Sequence, residues 1–463
     1  MENFFTTTFA VLTLACVALE VTGRDRKRAS NKQLGGMFSS SSFIAFRNNY
    51  LVVYSMMMAG DWLQGPYVYA LYQHYGYDKG DIGRLFIAGF GSSMFFGTIV
   101  GSLADKLGRK RASLTYVLTY TLSCFTKHSS KYWVLMLGRI LGGVSTSLLF
   151  SAFESWLVAE HFKRGYDGSW LGHTFSKAVF FGNGLIAILS GLLANALVWT
   201  LNLGPVAPFD AASIVMSIGG LIIFFSWPEN YGSRTNDNLG AQFSKAFNAI
   251  RSDSKIALLG AMQSLFEGSM YTFVFLWTPA LAPCNEAIPH GFIFATFMLA
   301  SMVGSSIANI LMSSTIRTEK FMQYVYFISA LGLMAPVLVG GVEGTCSKPG
   351  TGVSIAGKVQ MVGFCLFEIC VGVFWPSLMK MRSVYVPEEV RSTIINFFRI
   401  PLNLFVCIVL YNVSSFPMAL MFGMCSVFLV VCVICQHMLE VITASPGVVD
   451  ISLGKSPMPF DDM

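Results

Sequence analysis

Seven ionisable residues stand inside apolar runs of this 463-residue chain: Asp61, Arg139, Glu154, Lys177, Glu267, Glu368 and Arg399. An ionised side chain at the centre of a bilayer costs about 2.5 to 3.5 kcal/mol on insertion scales, so each needs a partner or a wet cavity. The three cations match what a small oxyanion demands once it is stripped of water, since arginine offers a rigid fork of donors and lysine a point charge. Lys177 and Arg399 are the leading substrate-binding candidates. Arg139 is a third, serving either binding, coupling or helix packing. The alternative for each is a structural ion pair buried between helices. Asp61, Glu154, Glu267 and Glu368 are candidate proton-coupling groups, because a carboxylate facing a low-dielectric cavity can exchange a proton as its charged neighbours change. A proton taken up with a dianion lowers the net charge that must cross.

A second cluster is a loop between two apolar segments, Gly101-Ser102-Leu103-Ala104-Asp105-Lys106-Leu107-Gly108-Arg109-Lys110-Arg111. Its glycines permit a tight turn and positive φ, and its four cations suit the negative inner leaflet of a membrane. Asp105 has cationic partners and helix ends within reach. The segment resembles the signature loop of major facilitator superfamily transporters, and that resemblance implies that Gly101, Asp105, Gly108, Arg109 and Lys110 form a conformational latch in which the Asp caps a neighbouring helix, with Glu160 of a following helix as the expected acidic partner. The rival reading is an ordinary positive-inside turn.

The elements that position these residues follow from composition. With 54% hydrophobic and 12% charged residues, the chain is too apolar for a soluble multidomain protein. Its formal net charge of +6 does not imply a nucleic-acid partner, because the basic residues fall in short clusters between apolar runs. Windows of about 20 residues predict helices near 3–23, 47–73, 82–103, 111–127, 132–160, 171–199, 208–227, 255–282, 290–313, 321–342, 356–382, 390–411 and 415–439. The expected organisation is an extra N-terminal transmembrane helix with a basic linker (1–46), a six-helix bundle (47–228), a central linker (229–254), a second six-helix bundle (255–440) and a tail (441–463). Basic residues occupy alternate connections, which places the charged loop, the central linker and the tail in the cytoplasm and residue 1 outside. The first helix reads as a retained anchor rather than a signal peptide, since no basic residue precedes it and five follow closely. Most of the ten cysteines lie in apolar helices without metal-ligand spacing. Cys284 and Cys346 fall in loops on the outer side, where a disulfide can form.

Two halves of a parallel repeat are faintly visible. Arg139 and Gly143 match Glu368 and Gly372 in spacing and place, and Thr174-x-x-Lys177 echoes Thr393-x-x-Asn396. The likeness of the 101–111 loop to the major facilitator signature implies an all-α polytopic fold of two six-helix bundles, here with the additional first helix. In such a fold the first, fourth, seventh and tenth core helices line a central cavity and the fifth and eleventh flank it. These are the helices that carry the buried charges.

Within the superfamily, several strings resemble the eukaryotic molybdate-anion transporter family, most closely its plant members. They are Gly60-Asp61-Trp62-Leu63-Gln64-Gly65-Pro66-Tyr67, Ser151-Ala152-Phe153-Glu154-Ser155-Trp156, Leu203-Gly204-Pro205-Val206-Ala207-Pro208-Phe209, Phe275-Leu276-Trp277-Thr278-Pro279 and Asn396-Phe397-Phe398-Arg399-Ile400-Pro401-Leu402. The resemblance covers about residues 47 to 440 and implies high-affinity molybdate uptake across a membrane, with the plasma membrane as the default location. Sulfate, another tetrahedral dianion, is the sharpest rival substrate, and a non-transporting anion sensor is the rival class. No nucleotide-binding glycine loop, metal-ligand cluster or nucleophile–base pair is present, so no enzyme, ATP-driven pump or cofactor is expected.

Overall fold

The computed structural model describes residues 3–31, 41–231, 239–282, 288–312, 314–339, 354–387 and 391–444. The described chain is helical throughout. It opens with α1 (Asn3–Asn31), followed by α2 (Ser41–Gln64), α3 (Val68–His74), α4 (Lys79–Leu107), α5 (Arg109–Phe125), α6 (Tyr132–Leu149), α7 (Ala152–Lys163), α8 (Gly168–Val179), α9 (Ala187–Asn195) and α10 (Ala207–Ser226). After α11 (Leu239–Ser252) come α12 (Ser254–Leu281), α13 (His290–Met312), α14 (Thr318–Leu338), α15 (Ile355–Tyr385), α16 (Arg391–Tyr411) and α17 (Met418–Ala444).

Pairs of consecutive short helices make single crossings. A 3-10 turn joins α2 to α3, and a seven-residue π segment, Phe180–Ile186, joins α8 to α9. Counted this way, twelve core crossings plus α1 stand among the described residues. The packing of the first six repeats in the second six. In the first half α2 packs on α10, α4 on α6, α5 on α10 and α5 on α6; in the second, α12 packs on α17, α13 on α15, α14 on α17 and α14 on α15. Gly143 and Gly372 hold corresponding places in this scheme. A Cβ on Gly143 would fall 2.4 Å from the Gly89 carbonyl of α4, and one on Gly372 would fall 1.9 Å from the Ser301 carbonyl of α13.

Eight helices among the described residues are long and apolar enough, by composition alone, to cross a membrane. α2, which carries Arg47, Asn48, Asn49 and Asp61, and α12, which carries Gln263 and Glu267, are more polar than these. Polar groups buried inside a bundle make a crossing less hydrophobic than a lipid-facing one.

Three elements depart from expectation. The run 132–160 is broken after Leu149, and the cause is local. Ser145, Thr146, Ser147 and Ser151 each donate a side-chain hydrogen bond of 2.7 to 3.1 Å to the carbonyl four residues back, which competes with the helical ladder. The stretch 229–254, expected to be a plain linker, contains α11, which buries Ala246 and packs against α16 and α12. α17 continues to Ala444, beyond the expected end of the second bundle at 440. Cys284, Cys346 and most of the tail lie outside the described residues; the eight described cysteines are free thiols.

Candidate functional site

The charged loop marks one end of the bundles, here termed the latch face; the opposite end is the far face. At the latch face Gly108 ends α4 with φ +111°, a conformation L side chains avoid, and the chain turns directly into α5. Glu229, just beyond α10, receives the new helix. Its Oε1 accepts from Lys110 N at 2.8 Å and its Oε2 from Arg111 N at 3.3 Å, so a carboxylate caps the positive end of α5. Arg109 N donates to Asn230 O at 3.0 Å, Arg109 Nη1 to Ser155 O at 3.1 Å, and Lys110 Nζ to Phe224 O at 2.8 Å. The neighbouring indoles of Trp156 and Trp227 stack 3.6 Å apart. Glu160, the expected acidic partner of this loop, accepts from Arg164 Nε at 2.8 Å at the end of α7; the side chains of Asp105 and Lys106 in the loop lie outside the described residues, as does any detail at Gly101. Among the described residues, Glu229 is the carboxylate that receives the first turn of α5.

Midway through the bundles Asp61 projects from α2. The Tyr120 hydroxyl of α5 donates to its Oδ1 at 2.5 Å, and Tyr54 and Tyr116 lie within electrostatic range. Glu154 sits in the first turn of α7, immediately after the break, where the helix dipole favours a carboxylate. It stands near Tyr50 and Tyr54 of α2. Lys177 on α8 is exposed, and the charged group bearing on it is another cation, Arg47 of α2. Arg139 is placed differently. Its Nε donates to Leu85 O at 3.3 Å and its guanidinium lies 4.6 Å from the Phe86 ring, so it braces α6 against α4.

In the second half Gln263, Glu267, Tyr271 and Phe275 recur every four residues along one face of α12. That face meets the first half: Tyr271 lies 5.2 Å from Phe90, and Phe275 lies 5.0 Å from Phe86. Arg382 donates to Gln263 Oε1 at 3.2 Å, and the Gln263 side chain bonds in turn to Glu267. Glu267 is 2% exposed and its Oε1 has no hydrogen-bond partner among the described residues. Arg399 of α16 reaches toward both Glu267 and the Tyr271 hydroxyl, and Asp61 bears on Tyr271 from the opposite half. Neither Arg399 nor Lys177 has a carboxylate within 4.0 Å among the described residues. Glu368 is buried on α15 with no charged or hydrogen-bonding partner among them. Helical spacing puts it on one face with Phe364, Val371 and Trp375, between the surfaces that pack on α12 and α13.

The structure thus gathers Asp61, Glu267 and Arg399 around the central seam, adds Tyr120 and Tyr271, and sets Arg139 apart as a brace. The sequence reading missed Arg47, a cation within an apolar helix, although that signal was present. It also missed Tyr120, Tyr271 and Gln263, which carry no sequence mark among so many aromatic and helical residues.

Described contacts between the halves concentrate toward the far face. There α4 packs on α16 with Gly83 beneath the Leu410 carbonyl, and α9 packs on α13 with Gly191 against Gly291. An aromatic group closes the gap: Tyr67 lies 5.7 Å from His290, Tyr69 5.4 Å from Phe275, and Trp62 5.8 Å from Phe294.

Comparison with known proteins gives the same architecture and narrows it. A family model described as sugar transporters with twelve transmembrane helices matches residues 4–364. The molybdate-anion transporter of Xenopus laevis is 34% identical over 413 residues, covering 88% of each chain. That of Takifugu rubripes is 34% identical over 430 residues, covering 88% of this chain and 86% of its own. Among solved structures, a D-xylose–proton symporter superposes with a TM-score of 0.64 at 12% identity, covering 85% of this chain and 97% of its own. The POT family transporter PepTSo superposes with a TM-score of 0.66 at 12% identity, covering 86% of this chain and 97% of its own. At such identity these two speak for the fold alone.

Proposed function

This chain belongs to the molybdate-anion transporter family of the major facilitator superfamily, a family of multi-pass membrane transporters and not of enzymes, and we propose that it carries molybdate by alternating access. The observation that supports an anionic cargo most directly is Arg399. Its guanidinium lies at the central seam beside the Tyr271 hydroxyl, without a carboxylate within 4.0 Å among the described residues. A fork of charged donors next to a hydroxyl suits a tetrahedral oxyanion. Lys177 and Arg47 add positive charge on the first half, nearer the latch face. A sugar, named by the matching family model, needs neutral hydrogen-bonding groups and gains nothing from unpaired cations.

In this reading the dianion binds Arg399 and Lys177 from opposite halves and draws them together. Glu267 and Asp61 are the coupling groups, each a carboxylate held on one side by a named donor. Protonation of either offsets charge as the anion arrives, which makes the transporter a proton–anion symporter. Glu154 and the buried Glu368 are further coupling candidates, and Arg139 keeps α6 seated on α4. The latch face is cytoplasmic by the distribution of basic residues, and the plasma membrane is the proposed location. The test is uptake of labelled molybdate at nanomolar concentration by yeast expressing the chain. Excess sulfate and an imposed pH gradient serve as the two variables. Uptake that resists sulfate and follows the gradient supports the proposal. Uptake abolished by sulfate assigns the site to that anion, and uptake indifferent to the gradient removes the proton from the cycle.

A further inference from the structure

The first helix is surplus to a twelve-crossing transporter, and its position suggests why it is kept. α1 runs parallel to α13: Phe9 lies 5.1 Å from Phe292 near the far face, and Ser306 Oγ donates to Glu20 Oε1 at 2.8 Å several turns on. Lys358, at the start of α15, lies 5.7 Å from the Phe4 ring. α1 is therefore fastened to the second half at both ends. Its inner face shares one apolar cluster with the first half. Cys16 is buried in one cluster with Ile188 of α9 and Ala295, Leu299 and Val303 of α13, and Phe9, Leu12, Ala15, Leu19 and Leu192 pack around it. Val11, Leu14, Val17 and Val21 point the other way and are more than half exposed, as a lipid-facing surface should be.

The seam under this cluster is one that must part. Gly191 and Gly291 bring α9 and α13 together so closely that a Cβ on Gly191 would sit 2.8 Å from the Gly291 carbonyl, and one on Gly291 would sit 2.5 Å from the Gly191 carbonyl. Opening the far face separates these backbones. We propose that α1 is a strap carried by α13 and lapped over α9, which holds the far-face seam shut and biases the transporter toward the state open at the latch face. Helices in a bilayer associate through close packing and interhelical hydrogen bonds, so trimming the lapped face weakens closure without exposing apolar surface to water. A modest loss of this kind shifts a two-state equilibrium several-fold. The proposal rests on the transporter fold and does not depend on which anion is carried.

The test uses the full chain in nanodiscs with Tyr67→Cys as a reporter, because Tyr67 is 2% exposed beside His290 and becomes reachable when the far face opens. The rate of maleimide labelling is compared in that background with the chain lacking the reporter subtracted. Leu12→Ala/Cys16→Ala/Leu19→Ala trims the seam side of α1, Glu20→Leu removes its bond to Ser306, and Val11→Ala/Leu14→Ala trims the lipid side. The expected result is labelling at least about threefold faster in the first two, a shift of the size a few lost packing contacts produce, with no change in the third. Equal rates for the seam-side and lipid-side variants, in protein that elutes as a single folded species, would overturn the proposal and leave α1 as an anchor only.

Discussion

Tyr120 donates to Asp61 across the interface of α5 and α2 at 2.5 Å, which ties the one carboxylate of the first core helix to a helix that does not itself line the seam. A hydrogen bond to a charged group contributes about 1.5 to 3 kcal/mol, and each 1.4 kcal/mol is about tenfold in an equilibrium or rate. Tyr120→Phe is therefore expected to slow molybdate uptake about tenfold or more. Asp61→Asn, which cannot exchange a proton, is expected to weaken the response of the residual uptake to an imposed pH gradient, with Glu267 left as the second exchanging group. Initial rates in proteoliposomes measure both, and a Tyr120→Phe variant with parental rate and pH response would refute the coupling role of Asp61.

Arg399 separates charge from shape. Arg399→Lys keeps a cation but loses the planar fork, so KM is expected to rise about tenfold while the maximal rate is largely kept. Arg399→Gln removes the charge and should abolish uptake. Equal KM in the Lys variant and the parent would argue against direct contact with the anion.

The latch offers a stability test that needs no substrate. Gly108 holds a positive φ with the Glu229 carboxylate 2.6 Å from where a Cβ would stand. Gly108→Ala forces both backbone strain and displacement of the cap, a loss of about 1 to 3 kcal/mol. Glu229→Gln keeps a hydrogen-bond acceptor but removes the charge at the helix end, a loss of about 0.3 to 1 kcal/mol. Thermal unfolding of the purified protein in detergent should rank parent above Glu229→Gln above Gly108→Ala. Glu160→Gln, whose partner is Arg164 on its own helix, should leave the connection between α5 and α10 intact.

Gly191→Val places a branched side chain where α13 already stands. The expected variant is folded, since each half keeps its own packing, but cannot close at the far face. Size-exclusion behaviour like the parent's together with loss of uptake is the expected pair of results. Full uptake would mean that α9 and α13 do not close as tightly during transport as they do here.

The sequence revealed more of the architecture than of the chamber. The buried charges fall on the predicted helices because the cost of placing Asp61, Glu267 or Arg399 in a bilayer is a local property of the residue and its flanks. Which charges meet is not local. Arg139 and Arg399 look alike in sequence, each an arginine in an apolar run, yet one spans a gap of a few ångströms to Leu85 and Phe86 while the other reaches the seam. That Glu229 caps the first turn of α5 depends on the direction in which α10 delivers its end to α5, which spacing along the chain does not encode. The break after Leu149 was readable in principle from four back-bonding hydroxyls, but the apolar window averages them away. The π segment at Phe180–Ile186 has no comparable mark; it fits Gly182 beneath Tyr54 and Met58 and lets its carbonyl accept from Trp62, a tertiary demand.

The acceptors and donors that fasten the latch, from Lys110 and Arg109 to Ser155, Phe224, Glu229 and Asn230, all precede residue 231. During synthesis the first bundle can therefore lock its own corner while every helix of the second bundle is still untranslated. Insertion at the translocon would then proceed as two separate assemblies, with α1 made first but left waiting for α13, its main partner, until nearly two thirds of the polypeptide has emerged.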